Sequence, residues 1–600
     1  MSDTGGALEP GRRLDAISAG ATARARRQIV AQLAPVAAGL ALWLASLPAI
    51  DLGDLGDYGL LRALPPTWYA GLAVLVLGAA AVTAAGRPSG WVMAAYVAAI
   101  VAVLWATIPA VADAPQYPWV YKHIGVTQLI AAHGGLTLNA DIYNRWPGFF
   151  ALAAAFSRLA GLPDPVSYAA WAEPLFMAVD TLLVGAIAHA LMRHVRVAGA
   201  AALLYVLLNW VGQTYFSPQA AASTLALTLL LVVLRGLPRK RASRWRRSGE
   251  PARADRLRWP PGAVYAVVLI LDAAIVVTHQ LTPFALVAQV AALVVLGAAG
   301  SWRLVTAMVA IPGFFLFANL GYVQEHFTLL TGLDPLQNLR TAGTYDVQRS
   351  AGKVFNADVS LLLSAGMFGA ALVGALLLRR RGFGLLPLVL LALAFAPFAV
   401  VLAQSYGGEA SLRVILYASP WAAMLVAGGV ATVRRTALRV ALSATVAAAA
   451  CALMVPAVYG VSQLNVIPRS TVAVSEDFYA RAPAGSVLVL AGPGFPLRVG
   501  ARYDRFRGPV GDADPNLLHD DRFRSRALGA ADLPAVVREI RRYAPRGFLA
   551  FSSTEDEWAR AFGLTPPGAL EDLERAVAGS PRFRLWARSA TARIYELAPG

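Results

Sequence analysis

The sequence predicts an α-helical polytopic membrane protein of about 13 spans, with a small α/β domain at its C-terminal end. Hydrophobic residues make up 57% of the 600 residues and charged residues only 14%, whereas a soluble domain carries about 25% charged residues. Apolar segments of roughly 20 residues, the length that crosses a bilayer, recur through the first three quarters of the chain. Beyond Pro456 they give way to charges and short apolar runs. These features exclude a cytosolic enzyme and, with Cys451 as the single cysteine, a disulfide scaffold.

Most of the predicted spans are long enough to cross about 30 Å of hydrocarbon at 1.5 Å per residue. One further segment, PGFFALAAAFSRLAGL (147–162), is shorter and contains Arg158. Counting it as a span would move the arginine-rich runs at 241–247 and 379–381 to the outer side, against the positive-inside rule. We therefore expect it to lie at the membrane surface or to re-enter. The predicted spans are 28–50, 67–86, 90–112, 170–192, 197–213, 219–235, 262–279, 283–299, 303–321, 359–378, 384–403, 414–432 and 438–458.

The positions of Lys and Arg predict the orientation of the chain. With the N-terminus inside, the basic clusters at 12–27, 235–258, 379–381 and 434–439 all face the cytoplasm, as the positive-inside rule requires. The sequence thus predicts a multi-pass protein of the cell membrane whose residues 1–27 form a basic cytoplasmic segment. The same distribution accounts for the net charge of +17. Membrane lipid, and no nucleic acid, is therefore the partner expected of the basic residues.

Residues 460–600 are predicted to form a small extracytoplasmic α/β domain after the transmembrane part, 28–458. Strands and helices alternate in it, which is typical of this class. Its charged residues show no catalytic spacing, so we expect an accessory role. The predicted elements are strands at 486–492 (SVLVLAG) and 547–553 (GFLAFSS), helices at 532–544 and near 555–578, and a β-hairpin in FRLWARSATARIYEL (583–597).

Polar and aromatic residues cluster in the predicted outer loop, 113–169, and at the outer ends of the later spans. The turns TYFSPQ (214–219) and THQLTP (278–283) carry more polar groups than a hairpin requires, which is typical of turns that line a cavity. Together these features indicate a site at the outer membrane boundary. No Walker A sequence, HExxH, GxSxG or paired CxxC occurs, so neither an ATP-driven pump nor a set of metal-ligating residues is expected.

Three acidic residues, Glu173, Asp180 and Asp272, fall within predicted spans. A charge there is costly and marks a functional candidate. Glu173 lies close to the outer end and could join the site. Hydrogen bonding between helices or a protonated state would explain Asp180 and Asp272 equally well.

The outer loop, with its WPGFFAL segment (146–152) and the many spans that follow, resembles the integral-membrane glycosyltransferases of the C superfamily. This family, GT-C, includes protein mannosyltransferases and aminoarabinose transferases. The resemblance covers roughly 90–458, and WPGFFAL stands where the family often has a Pro-Pro-Leu-aromatic sequence. The family's usual Asp–Glu pair is absent, and Asp113 occupies a comparable place just after the third span.

The resemblance implies transfer of a sugar from a polyprenyl-phosphate donor to a glycan, lipid or protein acceptor on the outer face. An inverting transfer needs a carboxylate base and cations for the departing phosphate. Asp141, which the neighbouring Arg145 is expected to keep ionised, and Asp113 are the candidate bases. No cofactor follows from the resemblance, and a divalent metal stays an open alternative. Candidates for binding the donor phosphate are Lys122, His123, Arg145, His279, Gln280, Arg349 and Arg413. Candidates for binding the acceptor or the sugar are Tyr121, Tyr143, Trp146, Tyr215, Gln219, Tyr406 and Glu409.

Two other functions compete with this interpretation. A secondary transporter would place its polar site near the membrane midplane, often within an inverted repeat. Here polarity gathers at the outer edge and no repeat is visible. A non-catalytic component of cell-envelope polysaccharide assembly or export would keep the fold without the chemistry, and the missing Asp–Glu pair is compatible with that reading.

Overall fold

The computed structural model of the chain describes residues 10–53, 55–85, 88–237, 257–326, 349–399, 410–508 and 514–599, and most of them are helical. The helices of the membrane part are α1 (Pro10–Ser46), α2 (Pro66–Ala85), α3 (Gly90–Trp105), α4 (Thr107–Val111), α5 (Val120–His133), α6 (Ile142–Arg145), α7 (Gly148–Ala160), α8 (Val166–Ala169), α9 (Ala172–Met192), α10 (Val195–Leu208), α11 (Pro218–Gly236), α12 (Pro261–Thr278), α13 (Thr282–Val295), α14 (Trp302–Ala318), α15 (Leu320–His326), α16 (Ala351–Arg380), α17 (Leu386–Phe395), α18 (Ala410–Ala431) and α19 (Thr436–Tyr459).

Helices occupy all the segments that the sequence predicts as spans. Within the described residues, eight helices are long and apolar enough to cross a membrane, and α3, α10, α13, α14 and α17 are shorter apolar helices at the remaining predicted positions. The chain is thus an α-helical multi-pass membrane protein, as the sequence predicts. Local signals explain where helices begin. Ser217, for example, caps α11 by accepting a hydrogen bond from the Ala220 amide at 3.2 Å, and Pro218 follows at the first helical position.

The doubtful segment 147–162 forms helix α7, which lies against the end of α12. A Cβ atom on Gly148 would come within 2.5 Å of the hydroxyl of Thr278, the last residue of α12. One face of α7 is buried and includes Phe150, whereas Leu152 and Leu159 on the other face are 69% and 89% exposed. An amphipathic helix of this kind suits a membrane surface. That α7 does not cross the membrane stays a prediction.

After α19 the chain continues into the C-terminal region, defined here as residues 460–508 and 514–599. A four-stranded sheet of order β1-β2-β4-β3 forms its centre, with β1 and β2 parallel and the other two pairs antiparallel. Both predicted strands and the hairpin are present. The elements are α20 (Ser462–Asn465), α21 (Arg469–Arg481), β1 (Val487–Leu490), α22 (Leu533–Tyr543), β2 (Gly547–Ser552), α23 (Ser553–Ala561), α24 (Ala569–Ala578), β3 (Phe583–Arg588) and β4 (Ala592–Leu597).

The single helix predicted near 555–578 is wrong, because the structure has two helices there. Helix α23 ends at Ala561 and α24 begins at Ala569. The intervening sequence contains Gly563 and Gly568, both with positive φ, and Pro566 and Pro567 between them. Two adjacent prolines remove backbone donors and clash with a preceding helical turn. The helical spacing of apolar residues therefore runs across 562–568 although the helix itself is interrupted there.

The turn Gly492–Pro493–Gly494 after β1 is tied to α23 by a buried carboxylate. Glu555 accepts a hydrogen bond from the Gly492 amide at 3.0 Å and another from the Ser552 hydroxyl at 2.8 Å. Burial raises the pKa of Glu555 well above its usual value. The carboxylate of Glu555 therefore links the turn after β1 to the end of β2, and this turn has a structural role.

One hydrophobic core joins the long loop (residues 113–169) to the C-terminal region. Its fully buried members include Tyr121 and Ile124 on α5, Phe150 on α7, and Phe478 and Phe548 of the C-terminal region. The sequence gives no sign of this, because both partners carry ordinary short apolar runs. The division into a transmembrane part and a C-terminal domain stays a prediction, and the structure adds that their facing surfaces are buried against each other.

The closest approach in this joint is between backbones. A Cβ atom on Gly125 of α5 would lie 1.8 Å from the carbonyl oxygen of Arg498, so only glycine fits there. Arg498 itself has a φ of 58°, a left-handed conformation that costs free energy in a non-glycine residue. The tight contact holds the strained residue in place.

Gly125→Ala is expected to separate the C-terminal region from α5, because the new methyl group cannot coexist with the Arg498 carbonyl. A lower melting temperature and faster tryptic cleavage near residues 495–508 should both be measurable in detergent. The matched control is Gly366→Ala in α16, where nothing lies within 4 Å of the added Cβ. Because alanine is favoured over glycine by about 1 kcal/mol in a helix, this control should melt no lower than wild type. Equal melting of the two variants would contradict the close contact.

Candidate active site at one end of the helix bundle

The predicted site residues that the structure describes lie at the end of the bundle that carries the long loop and the C-terminal region, here called the site end. Two turns reach it from the membrane helices, one between α10 and α11 and one between α12 and α13. The Phe216 carbonyl of the first turn accepts a hydrogen bond from His123 of the long loop at 2.8 Å. Thr278, at the second turn, contacts Gly148 of α7. The structure thus brings the long loop and both turns together at this end.

A buried hydrogen-bonded cluster joins three membrane helices at this end. The Gln219 side-chain amide donates to the Tyr417 hydroxyl at 2.9 Å, and that hydroxyl lies 2.7 Å from the hydroxyl of Thr282. Thr282 also lies 2.9 Å from His279 Nδ1. Because the backbone amides of Leu281 and Thr282 donate to that same nitrogen, Nδ1 is the acceptor and the proton of neutral His279 sits on Nε2. His279 thus keeps a ring N–H donor.

Arg413 brings a buried positive charge to this end from the first turn of the fully described part of α18, Leu412–Ala431. Its residue is 7% exposed, and its guanidinium donates to the Gln213 side-chain carbonyl in the turn between α10 and α11. A buried guanidinium offers a directional fork of N–H groups that matches phosphate oxygens. Gln280, half-buried in the neighbouring turn, also has interaction partners there.

An aromatic wall stands between the long loop and the α10–α11 turn. The Tyr215 ring stacks on His123, with centroids 5.9 Å apart and an interplanar angle of 4°, and lies 5.1 Å from Tyr117. Tyr143 meets His123 edge-on at 5.2 Å. Tyr117 has a φ of 72°, and such strain in a non-glycine residue is concentrated at functional sites. Its hydroxyl donates to Glu173, which begins α9.

His123 is held as a neutral ring within this wall. Its Nδ1 must donate to the Phe216 carbonyl, so Nε2 is left as an acceptor. The pKa of His123 is lowered to about 4, and burial is the largest cause. The hydrogen bond to Phe216 and the charge of Asp141 raise this pKa, whereas the positive charge of Lys122 lowers it. His123 therefore carries no charge at neutral pH and acts by hydrogen bonding.

The two candidate bases differ sharply in their surroundings. Asp141 caps α6, and its side chain is 2% exposed. One oxygen accepts from the amide and the side chain of Asn144, each at 3.0 Å, and the other accepts from the Tyr503 hydroxyl at 2.6 Å. Asp113, in contrast, is exposed between α4 and α5 and makes no hydrogen bond or ion pair within the described ranges.

The expected pairing of Asp141 with Arg145 is corrected by the structure. Arg145 donates to the Leu138 carbonyl at 2.8 Å and lies over the Tyr322 ring. The cation near Asp141 is instead Arg498 of the C-terminal region, at 3.7 Å. Asp141 caps the start of α6 and Arg145 is its last residue, and the Arg145 guanidinium donates to residues that precede the helix and not to the cap.

Lys122 is also engaged by the C-terminal region. It forms an ion pair with Asp514, and Asp514 lies 3.5 Å from Arg498, so charges alternate across the joint. The sequence predicts no site role for Arg498, Tyr503 or Asp514, because the first two lie in GFPLRVGARYDRFRG (494–508), which is typical of an ordinary polar loop, and Asp514 follows six residues later. No local signal distinguishes them from the other arginines and aspartates of that region.

The remaining predicted residues fall into three groups. Tyr121 and Trp146 are 0% and 5% exposed and pack in apolar cores, so they hold the loop. Arg349 precedes α16, at a contact where the Ser350 amide donates to the Ala561 carbonyl of the C-terminal region. Tyr406 and Glu409 lie outside the described residues. Within the described part of the chain, no three His, Cys, Asp or Glu side chains are grouped to hold a metal ion.

Comparison with known proteins finds similarity only at the level of three-dimensional structure. No family model and no curated protein matches the chain. Similar solved structures include the apo oligosaccharyltransferase of Archaeoglobus fulgidus, with 12% identity, a TM-score of 0.46, and coverage of 84% of this chain and 72% of that one. ArnT from Cupriavidus metallidurans bound to undecaprenyl phosphate is also similar, with 11% identity, a TM-score of 0.42, and coverage of 88% of this chain and 98% of that one.

The oligosaccharyltransferase AglB of Archaeoglobus fulgidus, in complex with an inhibitory peptide and a dolichol-phosphate, gives 13% identity, a TM-score of 0.47, and coverage of 89% and 74%. The likeness to these proteins, two of which are oligosaccharyltransferases, is one of three-dimensional structure. At these identities and scores the likeness assigns no residue a role, so the roles proposed below come from this chain's own contacts.

Acidification is expected to destabilise the protein through His123. Its folded pKa, about 4, lies below the usual value of about 6.5, so the unfolded chain binds more protons between these values. Its contribution to stability is therefore complete above pH 6.5 and is lost as the pH falls towards 4. His123→Gln should flatten the dependence of melting temperature on pH in this window, whereas His133→Gln at the end of the same helix should leave it unchanged. The same slope in both variants would show that His123 is not the group responsible.

Proposed function

We propose that this chain is a membrane glycosyltransferase that transfers a sugar from a polyprenyl-phosphate donor to an acceptor hydroxyl at the outer face of the membrane. The observation that carries the proposal is the grouping, at one end of an apolar helix bundle, of a buried arginine, a histidine N–H donor and an aromatic wall. The long loop at the same end adds the carboxylate of Asp113, which has no hydrogen-bond or ion-pair partner among the described residues. A donor whose lipid stays in the bilayer presents its sugar phosphate at this depth.

Asp113 is the base that we favour. A general base needs an unoccupied lone pair facing the proton that it removes. The oxygens of Asp141 accept three hydrogen bonds and face Arg498, whereas Asp113 is exposed and unengaged among the described residues. Asp141 is then a structural cap, and it remains the alternative base that the sequence also offers.

The departing phosphate is assigned to Arg413 and His279. As the acceptor oxygen bonds to the anomeric carbon, the bond from that carbon to the phosphate oxygen breaks and its electron pair leaves with the polyprenyl phosphate. Asp113 takes the proton of the acceptor hydroxyl. The growing negative charge on the phosphate is stabilised by the guanidinium of Arg413 and the Nε2–H of His279, which are fixed before the reaction by Gln213 and Thr282.

The sugar is assigned to the aromatic wall. Tyr215 and Tyr143 offer ring faces and a hydroxyl, and neutral His123 offers an acceptor nitrogen towards a sugar hydroxyl. Gln219 stabilises the hydrogen-bonded cluster of Thr282 and His279 through its bond to Tyr417. Lys122 acts indirectly, because its ammonium is committed to Asp514. Gln280, Arg349, Tyr406 and Glu409 keep the roles that the sequence proposes for them.

Asp113→Asn should lower the rate of transfer by about 10²–10⁴ and leave the melting temperature unchanged, since it removes the base without removing a contact. The assay measures release of polyprenyl phosphate from a panel of synthetic polyprenyl-phosphate sugars by the purified protein. Asp164→Asn is the matched control. Asp164 lies exposed in the same loop and caps the Val166 amide at 3.0 Å, a bond that asparagine also accepts.

Asp141→Ala should differ from Asp113→Asn by lowering the melting temperature, because it leaves the hydroxyl of Tyr503 and the amide of Asn144 without their acceptor. If Asp113→Asn keeps full activity and Asp141→Asn loses it at an unchanged melting temperature, the base is Asp141.

The orientation belongs to the same proposal: N-terminus in the cytoplasm and C-terminal region outside. The distribution of basic residues supports it. In a Cys451→Ser background, a cysteine placed at position 520 should react with a membrane-impermeant maleimide in intact cells, and one placed at position 245 should react only after lysis. The reverse pattern would move the site to the cytoplasmic face and overturn the outer-face assignment.

A secondary transporter is the second candidate, and one observation favours it. Asp272, in the middle of α12, is 0% exposed, and neither carboxylate oxygen has a hydrogen-bond partner among the described residues. A buried acid at mid-membrane is a common element of proton-coupled transport. The assay above separates the two, because a transporter would release no polyprenyl phosphate from any sugar of the panel.

A further inference from the structure

A basic cavity opens at the end of the bundle opposite the site end. Helix α16 starts beside the C-terminal region, where the Ser350 amide donates to the Ala561 carbonyl, and ends at Arg380. At 1.5 Å per residue, its 30 residues place these two ends about 45 Å apart. The cavity lies between the end of α16 and the start of α19 and has a volume of about 440 Å³. Its lining consists of Leu377, Arg380, Arg381, Thr432, Val433, Arg434, Arg435 and Leu438.

Four of the eight lining residues are arginines, and none of the four has a counterion among the described residues. Neither Arg380 nor Arg381 at the end of α16 forms a side-chain hydrogen bond or an ion pair within the described ranges, and the same holds for Arg434 and Arg435 before α19. The nearby Arg439 behaves differently. It donates to the Ala84 carbonyl at 2.9 Å and to the Val433 carbonyl at 3.1 Å, so it is a structural arginine. Arg380, Arg434 and Arg435 are exposed, so their guanidinium groups are accessible from the opening of the cavity.

Three of the other four lining residues are apolar, and Thr432 is the fourth, which indicates what kind of anion the cavity suits. Leu377 and Val433 form part of the wall, and Leu438, 57% exposed, stands on the first turn of α19 at its rim. A freely soluble phosphate gains nothing from such a surface. A phospholipid does, because its phosphate can meet the guanidinium groups while its acyl chains follow the apolar helices into the bilayer.

We propose that this cavity binds the head group of an anionic phospholipid from the leaflet opposite the site end. The phosphate accepts hydrogen bonds from arginines of both helix ends and so links α16 to α19. The two linked helices run to the C-terminal region, so lipid binding stabilises the bundle that supports the site. The proposal does not depend on which reaction the site carries out.

The test is thermal melting of the purified protein in neutral detergent, titrated with phosphatidylglycerol, cardiolipin or, for comparison, phosphatidylcholine. A ligand that binds only the folded protein raises the melting temperature as its concentration exceeds its Kd. We expect a rise with the two anionic lipids and none with phosphatidylcholine. Native mass spectrometry should show the bound anionic lipid directly, which keeps the test informative if a variant melts at a different temperature.

Arg434→Gln/Arg435→Gln should weaken anionic-lipid binding about 25-fold, since each basic residue near a membrane surface contributes about fivefold to the affinity. The matched control is Arg258→Gln/Arg303→Gln, because these exposed arginines flank α12 and α14 at the same end but outside the cavity. The control should bind lipid as wild type does. Arg434→Lys/Arg435→Lys keeps the charge and should bind with intermediate affinity, since lysine lacks the planar fork.

Three results would overturn the proposal. Equal weakening in both glutamine variants would mean that general surface charge attracts the lipid. An equal rise in melting temperature with inorganic phosphate or glycerol phosphate would identify a site for soluble anions. No rise with either anionic lipid, together with no bound lipid in native mass spectra, would mean that the cavity binds none.

Discussion

The buried joint between the long loop and the C-terminal region is the constraint on which the rest of the site depends. Helix α5 carries Gly125 against the Arg498 backbone and His123 against the α10–α11 turn, so one helix faces both the C-terminal region and the membrane helices. The apolar faces of α5 and α7 are buried in the core that the loop shares with the C-terminal region. The hydrogen bond from the Tyr503 hydroxyl to the capping carboxylate of Asp141 adds a directional contact to this packing.

This arrangement changes what the C-terminal region does for the site. The sequence suggests a separate accessory domain, whereas the structure has Arg498 and Asp514 form ion pairs with residues of the long loop. These ion pairs are largely buried, and removing one partner would leave a charge uncompensated. Such pairs contribute more to a defined arrangement than to stability. The region is therefore a structural wall of the site even though it supplies no group to the proposed reaction.

The sequence predicts the membrane part well because its rules are one-dimensional. Span length, apolar content and the positions of arginines locate every long helix, and period-two apolar runs locate the strands. It fails where two distant segments meet. The pairing of Asp141 with Arg498 spans more than half of the chain, and nothing near Asp141 distinguishes it from Asp113. Likewise, the break between α23 and α24 is visible only if the two prolines are given more weight than the apolar period.

Both ends of the bundle use buried or clustered arginine, but in opposite ways. Arg413 is enclosed and oriented by Gln213, which suits an anion that must be held in one geometry, whereas the four arginines of the cavity at the other end are open to their surroundings.

A structure determined by cryo-electron microscopy with a polyprenyl-phosphate sugar bound tests this account most directly. The account predicts the phosphate within hydrogen-bonding distance of Arg413 and His279, the sugar against Tyr215, and Asp113 facing the anomeric carbon. The phosphate of the polyprenyl-phosphate sugar bound among Arg380, Arg381, Arg434 and Arg435, with the site end empty, would contradict it.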